Sequence, residues 1–557
     1  MILNNSKNIL EKSLLSCKKA FLFILLFSFF ISVFTLASSI YSLQVLDRVL
    51  SSGSIETLIY LTIIVLVFLI FFGFLTQIRS MVFLHISNWL DERISPILLN
   101  ETIENNGAGK NVTAQNIRDL QNIKNFISSP NLTNLFDAPF ALIYLLIIFF
   151  IHPLNGIITT IGAALMLKIA YINDKLTSKL IEQNNQAQQK VFNDFQIISS
   201  NSEIIKAMAM HENVRSSWQK SNNEFRQIAN NLAGLGNKVS TISKVFRMIL
   251  QTATMACSAV LVIFNKMSSG GIIATSILSG KALSPLDNII SAWKSLKTTK
   301  ESYLRLHDNL QNYVDKEDKI ELPPIIGNLL VEKLIYKNKQ SNALIIKGIS
   351  FKISAGEVIG IIGPSASGKT TLARLLLGVL KADSGNIRLD GADLINQDFQ
   401  KIGKYIGYLP QDVELFKGSI KENIARMNRE ISDEEIISAA KFCNIHQMIL
   451  SLPQGYETQV ERDGSNLSAG QKQRVALARA YFGFAKFVVL DEPNSNLDSE
   501  GEKSLNETIL RAKEKNITTI IITHRRNVAA VCDKIMVINN GEIVNFSESK
   551  NILEKFL

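Results

Sequence analysis

Gly363-Pro-Ser-Ala-Ser-Gly-Lys-Thr370 places two glycines with four residues between them and closes on Lys and Thr. That is the pattern of a phosphate-binding loop. Upstream, Glu357-Val-Ile-Gly-Ile-Ile362 is a short apolar run of strand type. Downstream, Thr371-Leu-Ala-Arg-Leu-Leu-Leu377 reads as the start of an apolar helix. A Gly/Ser-rich surface turn would share the composition but not this strand, loop and helix context. The glycines let backbone N–H groups face phosphates, and the helix N-terminus adds positive potential. In such a loop Lys369 reaches the β and γ phosphates and Thr370 ligates Mg²⁺. Gly363, Pro364, Ser365, Ala366, Ser367, Gly368, Lys369, Thr370 and Thr371 are the candidate contacts for a nucleoside triphosphate.

At 557 residues the chain is too long for one compact domain. It is 47% hydrophobic with a formal net charge of +10. Such a charge suits nucleic acid or an anionic membrane surface, but no basic stripe with interleaved aromatics is present, so nucleic acid is not expected as a partner. Cys17, Cys257, Cys443 and Cys532 are scattered, with no CxxC pair and no disulfide framework.

The apolar residues concentrate before about residue 290. Six charge-poor runs stand out, at 20–41, 58–75, 138–151, 154–171, 246–264 and 271–290. The second is of membrane-spanning length, and as core helices of a soluble protein the six together would need a very large core. Leu36-Ala-Ser-Ser39 resembles a cleavage site, but the first run exceeds the usual signal-peptide core and further runs follow. The N-terminus and two long polar stretches, 76–137 and 172–245, carry most of the Lys and Arg. The positive-inside rule therefore puts both termini and both stretches in the cytoplasm. Residues 291–320 are charged and of helical character, and Leu322-Pro-Pro-Ile325 marks a linker. The expected division is a transmembrane domain over 1–320 and a nucleotide-binding domain over 321–557, where short strands alternate with helices.

In the second domain, Phe487-Val-Val-Leu-Asp-Glu492 is an apolar strand ending in two acids. Beside a phosphate loop this is the Walker B arrangement: Asp491 holds Mg²⁺ through its water shell and Glu492 polarises the attacking water. Leu467-Ser-Ala-Gly-Gln471, followed by Lys-Gln-Arg-Val, resembles the signature motif of ATP-binding-cassette (ABC) proteins. The resemblance implies an α/β phosphate-loop cassette joined to a membrane α-helical domain of ABC exporter type, with ATP held between two copies of the cassette. Ser468, Gly470 and Gln471 match the motif, while Ala469 replaces a glycine, which is harmless unless that position needs positive φ. Gln411, in Tyr408-Leu-Pro-Gln411, sits like the family's Q-loop glutamine, a Mg²⁺ and water sensor. His524, after Thr519-Ile-Ile-Ile-Thr523, sits like its switch histidine. Asp498 resembles the D-loop aspartate. The resemblance therefore implies Lys369, Glu492 and His524 as the catalytic set, and Thr370, Gln411 and Asp491 around the metal. For the adenine-stacking aromatic, Tyr336 is the nearby candidate, with a packed strand tyrosine as the alternative; the register puts Asn338 at the usual aromatic position.

The stretch from Tyr41-Ser-Leu-Gln-Val-Leu-Asp-Arg48 to Leu58 resembles the first external loop of PrtD-type type I secretion permease/ATPases. So do Ile117-Arg-Asp-Leu120 through Phe136-Asp-Ala-Pro139, and Ser284-Pro-Leu through Trp293. Asp491-Glu-Pro-Asn-Ser-Asn-Leu-Asp-Ser-Glu-Gly-Glu502 resembles that subfamily's extended Walker B and D-loop, whereas Phe484-Ala-Lys486 departs from its Pro-containing turn. This resemblance implies a multi-pass inner-membrane homodimer in contact with membrane lipid. The dimer would export unfolded polypeptides carrying an uncleaved C-terminal signal, together with a periplasmic adaptor and an outer-membrane channel. No peptidase domain precedes the first span, so leader cleavage is not expected. The alternative is an exporter of lipid or drug-like amphiphiles. Two cytoplasmic loops, near 100–115 and 200–213, are expected to press short helices onto the surface at Asp412 to Phe416. Glu461 and Asp463 are either contacts across the dimer or solvated loop acids.

Overall fold

The computed structural model describes residues 9–107, 115–311, 324–338, 341–461, 466–483 and 485–556. The chain divides into two compact units, one of Met1–Ile103 and Val112–Val314, the other including Asp315–Leu557. The boundary expected at 320/321 falls outside the described residues, as do Leu322 and Pro323 of the expected linker.

The first unit is a bundle of long helices. Among the described residues, five are long and apolar enough to cross a membrane: Lys18–Ser52, Ile55–Ile103, Pro130–Ile151, Pro153–Ser200 and His211–Ile263. Leu36 and Ser39, at the candidate cleavage site, are buried in the middle of the first helix. The sixth apolar run lies in the 41-residue helix Ser269–Asn309, which falls short on apolarity. The reason is its place in the bundle. It packs against Lys18–Gln44, Ala141–Ile151, Pro153–Ser200 and His211–Ile263, and it buries Gly270, Gly271, Ala274, Thr275, Ser279 and Ala282. Small residues let neighbouring backbones approach, so helix contacts replace lipid contacts.

The two long polar stretches are largely helix, as the helical spacing of the second, at Ile204 to Met210, predicts. Ile55–Gly107 and His211–Ile263 each run 53 residues, and Pro153–Ser200 runs 48. At about 1.5 Å per residue, 53 residues reach about 80 Å, far beyond a hydrocarbon core of about 30 Å. Polar residues therefore continue the spans into water without breaking them. Between Ser200 and His211 the chain turns through one short helix, Ser202–Ala207, with Ala209 at φ 51°. This is the short helix expected near 200–213. Residues 108–114 of the other expected loop lie outside the described residues.

Two of the quoted family-like stretches supply polar staples to the bundle. Arg79, 4% exposed, donates to Ser28 Oγ at 2.8 Å and to Asp137 Oδ1 at 2.5 Å, joining three helices. Asp47 sits in a π-helical turn, Val45–Val49. It accepts from Ser268 Oγ at 2.5 Å and from Gly270 N at 2.7 Å, capping the start of Ser269–Asn309. A Cβ on Gly270 would lie 2.5 Å from Leu43 O, so the approach requires glycine.

The second unit contains a six-stranded sheet in the order Glu542–Glu548, Lys534–Asn539, Val358–Ile362, Thr518–Ile522, Phe487–Asp491, Ile406–Leu409. All neighbours pair in parallel except the Glu542–Glu548 edge. Val358–Ile362, Phe487–Asp491 and Thr518–Ile522 are buried throughout, as parallel strands covered on both faces must be. A separate antiparallel sheet is ordered Leu344–Ile353, Leu329–Lys337, Ser384–Leu389, Ala392–Asp393. The loops at the carboxyl ends of the parallel strands lie side by side, which is where an open α/β sheet binds ligands.

Truncating Arg79 leaves the Asp137 carboxylate without its cation. Arg79→Ala should lower stability by about 2–3 kcal/mol, read as a fall in Tm of the detergent-solubilised protein. Arg79→Met with Asp137→Leu should recover most of that loss. An unchanged Tm in Arg79→Ala would show that the staple is dispensable.

Candidate functional site

The phosphate loop leaves the strand Val358–Ile362 and enters the helix Lys369–Leu376. A Cβ on Gly363 would lie 2.0 Å from Ile538 O, so only glycine fits there. Gly368 caps the helix at φ 99°, again a glycine conformation. Pro364, Ser365 and Ala366 form an exposed rim, while Ser367 and Lys369 turn inward. Lys369 is 7% exposed, and its Nζ donates to Gly363 O and Pro364 O, both at 2.8 Å. Burial lowers its pKa, opposed by the nearby Glu492 and Asp491 carboxylates. Thr370 and Thr371 follow in the first turn of the helix.

Asp491 ends its strand only 1% exposed. Neither carboxylate oxygen has a hydrogen bond of good geometry among the described residues, and the Ser367 hydroxyl is buried without one too. Burial pushes the Asp491 carboxyl up; the neighbouring Thr370 hydroxyl offsets part of that effect. Two buried carboxyl oxygens beside a threonine hydroxyl are a set that fits a hard, oxygen-seeking cation. Thr370 and Asp491 could hold Mg²⁺ here, with Gln411 reached through Glu492.

Glu492 follows at φ 50°, a left-handed conformation that is strained for a residue with a side chain. Its N–H donates to Ile522 O at 2.9 Å, on the adjacent strand. Gln411 Nε2 donates to Glu492 Oε2 at 3.2 Å, and His524 Nε2 lies 3.5 Å from Glu492 Oε1. Gln411, Glu492 and His524 thus come together from the ends of three strands, next to the strand that delivers the phosphate loop.

The signature residues stand at another helix N-terminus, that of Ala469–Tyr481. Ser468 Oγ accepts from Gln471 N at 3.2 Å, and Gln471 Oε1 accepts from Ser468 N at 2.9 Å, forming a reciprocal capping box. Ala469 opens the helix and is not among the positive-φ residues, so its backbone tolerates the missing glycine. Gly470 is the constrained position, since a Cβ there would lie 2.9 Å from Asn496 O. Asp498 caps the following helix, accepting from Gly501 N at 2.8 Å and from Arg474 Nη2 at 2.6 Å. Asp412, Glu414 and Phe416 are exposed on the surface after Gln411. Glu461 is exposed, its N–H donating to Asn466 Oδ1 at 3.2 Å; Asp463 and Phe484 lie outside the described residues.

Tyr336 is 8% exposed and packs in the core with Ile346 and Ile349. Its ring is used by packing, which is the alternative the sequence left open. Asn338 instead closes a turn, its Oδ1 accepting from Ser341 N at 3.3 Å. Sequence reasoning missed Gln473, which is 2% exposed and donates to Glu492 O at 3.1 Å. The available signal was helical spacing, three residues on from Gly470.

The family model of ABC transporters matches residues 346–495, and that of ABC transporter transmembrane regions matches residues 21–285. The chain is 37% identical over 551 residues to the type I secretion system ATP-binding protein PrsD of Rhizobium meliloti (strain 1021), spanning 98% of this chain and 94% of that protein. It is 30% identical over 553 residues to the leukotoxin translocation ATP-binding protein LktB of Mannheimia glucosida, spanning 96% of this chain and 77% of that protein. A solved structure of a bacterial Atm1-family ABC exporter with ATP bound superposes with a TM-score of 0.82, covering 97% of this chain and 96% of that one, at 20% identity. At that identity the likeness is one of fold.

Two outcomes follow from this geometry. Ala469→Gly should leave ATPase activity within about twofold of wild type, while Gly470→Ala should lower it about tenfold or more; a large gain in Ala469→Gly would contradict the backbone argument. Because the Asp491 pKa is raised in the native state, the native chain binds more protons than the unfolded one only between the ordinary value and the raised one. Stability of the nucleotide-free protein therefore falls as pH rises from the ordinary carboxylate value of about 3.9 towards the native value. Asp491→Asn should raise the Tm of the Mg²⁺- and nucleotide-free protein at neutral pH, and the gain should vanish in acid.

Proposed function

We propose that this chain, which belongs to the type I secretion branch of the ABC transporters, works as a homodimer that uses ATP hydrolysis to export unfolded polypeptides. It is a multi-pass inner-membrane protein and an ATPase. The observation that carries the catalytic reading is the Glu492 carboxylate, set between Gln411 at 3.2 Å and His524 at 3.5 Å beside the phosphate loop.

In this reading ATP lies on the loop Gly363–Thr371, with Lys369 at the β and γ phosphates. Glu492 accepts a proton from a water as its oxygen bonds to the γ-phosphorus; the bond from that phosphorus to the β,γ-bridging oxygen breaks and ADP leaves. Gln411 and His524 hold the Glu492 carboxylate in line, and His524 also reaches the γ-phosphate. Mg²⁺, when bound by Thr370, Gln411 and Asp491, neutralises charge on the phosphates. Ser468, Gly470 and Gln471 sit at an exposed helix end, and the second copy supplies its own such end to complete each site. Asp498 lies where the two cassettes meet. A symmetric pair is the simplest completion of a chain with one cassette and one membrane bundle.

Similarity to PrsD over nearly its whole length, and to most of LktB, supports polypeptide as the cargo and supports a periplasmic adaptor and an outer-membrane channel as partners. Recognition of a C-terminal signal belongs to the same reading. So do cytoplasmic termini, contact of the spans with lipid, and six crossings, with Ser269–Asn309 as the sixth. The division into a membrane domain over 1–320 and a cassette over 321–557 completes it.

Glu492→Gln removes the base but keeps the fold and the nucleotide contacts. It should lower ATPase activity by at least about a hundredfold while still retaining ATP. Isolated from native membranes with ATP, this variant should bring down an adaptor and a polypeptide. Recovery of the trapped dimer with lipid alone, in cells that contain the adaptor, would favour the exporter of lipid or amphiphiles instead.

A further inference from the structure

We propose that Gln473 is a positioning residue that ties the signature helix to Glu492, so that engagement of one ATP site sets the geometry of the other. The inference rests on the reading above, in which a chain's Glu492 serves one ATP while its Ser468 and Gly470 serve the other.

Gln473 is 2% exposed, and its amide is used in full view of the catalytic loop. Nε2 donates to Glu492 O at 3.1 Å and to Ser495 Oγ at 3.3 Å, while Oε1 accepts from Asn496 N at 3.0 Å. Glu492 is the strained residue at φ 50°, and its N–H is already bonded to Ile522 O at 2.9 Å. Gln473 therefore fixes the far side of a backbone that the sheet fixes on the near side. The two grips together hold a conformation that a side-chain-bearing residue would otherwise leave.

The same helix face carries two more contacts. Gly470, one turn earlier, lies close under Asn496 O, and a Cβ there would stand 2.9 Å from that oxygen. Arg474, the next residue along, pairs with Asp498 at 2.6 Å. Positions i, i+3 and i+4 form one stripe on a helix, and here that stripe holds the chain from Glu492 to Asp498. Ser468 and Ala469 begin the same helix and are exposed. A shift of the exposed end on meeting a phosphate is thus transmitted to the Glu492 carbonyl through one rigid helix and one buried amide. In a symmetric dimer each site is coupled to the other in the same way, so the coupling appears as cooperativity in ATP.

Gln473→Met keeps the side-chain volume and deletes the hydrogen bonds. In the full-length protein, kcat should fall about tenfold with the ATP KM within about threefold, because no nucleotide contact is touched. The wild type should show a Hill coefficient above one and Gln473→Met a value of one. A wild-type kcat and Hill coefficient in folded Gln473→Met, with folding checked by Tm, would overturn the proposal. If Gln473→Met does not fold, Arg474→Met, on the more open side of the same stripe, carries the test: its Hill coefficient should fall, and an unchanged value overturns the coupling. Glu492→Gln, assayed alongside, separates the two ideas. If it is inactive while Gln473→Met behaves as wild type, only the coupling fails; if it hydrolyses ATP normally, the reading of Glu492 fails.

Discussion

The cassette is organised around opposite charges, Lys369 and Asp491, that the fold buries close together. Among the described residues neither Asp491 oxygen has a hydrogen bond of good geometry, and Lys369 beside it rests on two loop carbonyls. Burial disfavours both ionised forms. Ligands that bring phosphate charge and a divalent cation relieve both penalties together. The parallel sheet makes the juxtaposition unavoidable, since neighbouring strands end at the same level and deliver the loop, Asp491 with Glu492, and His524 side by side.

The membrane unit solves the opposite problem. Its helices must hold together where water gives no hydrophobic drive between them. Small residues on Ser269–Asn309 allow close packing, and a few buried polar contacts fix partners. Arg79 with Asp137, and Asp47 with Ser268 and Gly270, fall within or join to stretches that resemble type I secretion proteins. Those stretches therefore have a packing role whatever else they do.

The phosphate loop and the Walker B strand were legible because each is local: one short segment holds both the pattern and the elements that flank it. The polar stretches could be read as helical because Lys and Gln continue a helix almost as readily as Leu does. Ala469 could not be judged until its backbone was seen to be ordinary helix. Tyr336 could not be judged until its ring was seen to be packed. Gln473 was hidden for a different reason. Its partners, Glu492, Ser495 and Asn496, are about twenty residues away in sequence and meet it only across the folded domain.

The most direct measurement compares the polypeptides outside and inside cells that make either the native chain or Glu492→Gln. The account predicts that a defined set of proteins is lost from the medium and accumulates intact within cells of the variant. An unchanged set of secreted proteins, with lipid or amphiphile efflux lost instead, would contradict it.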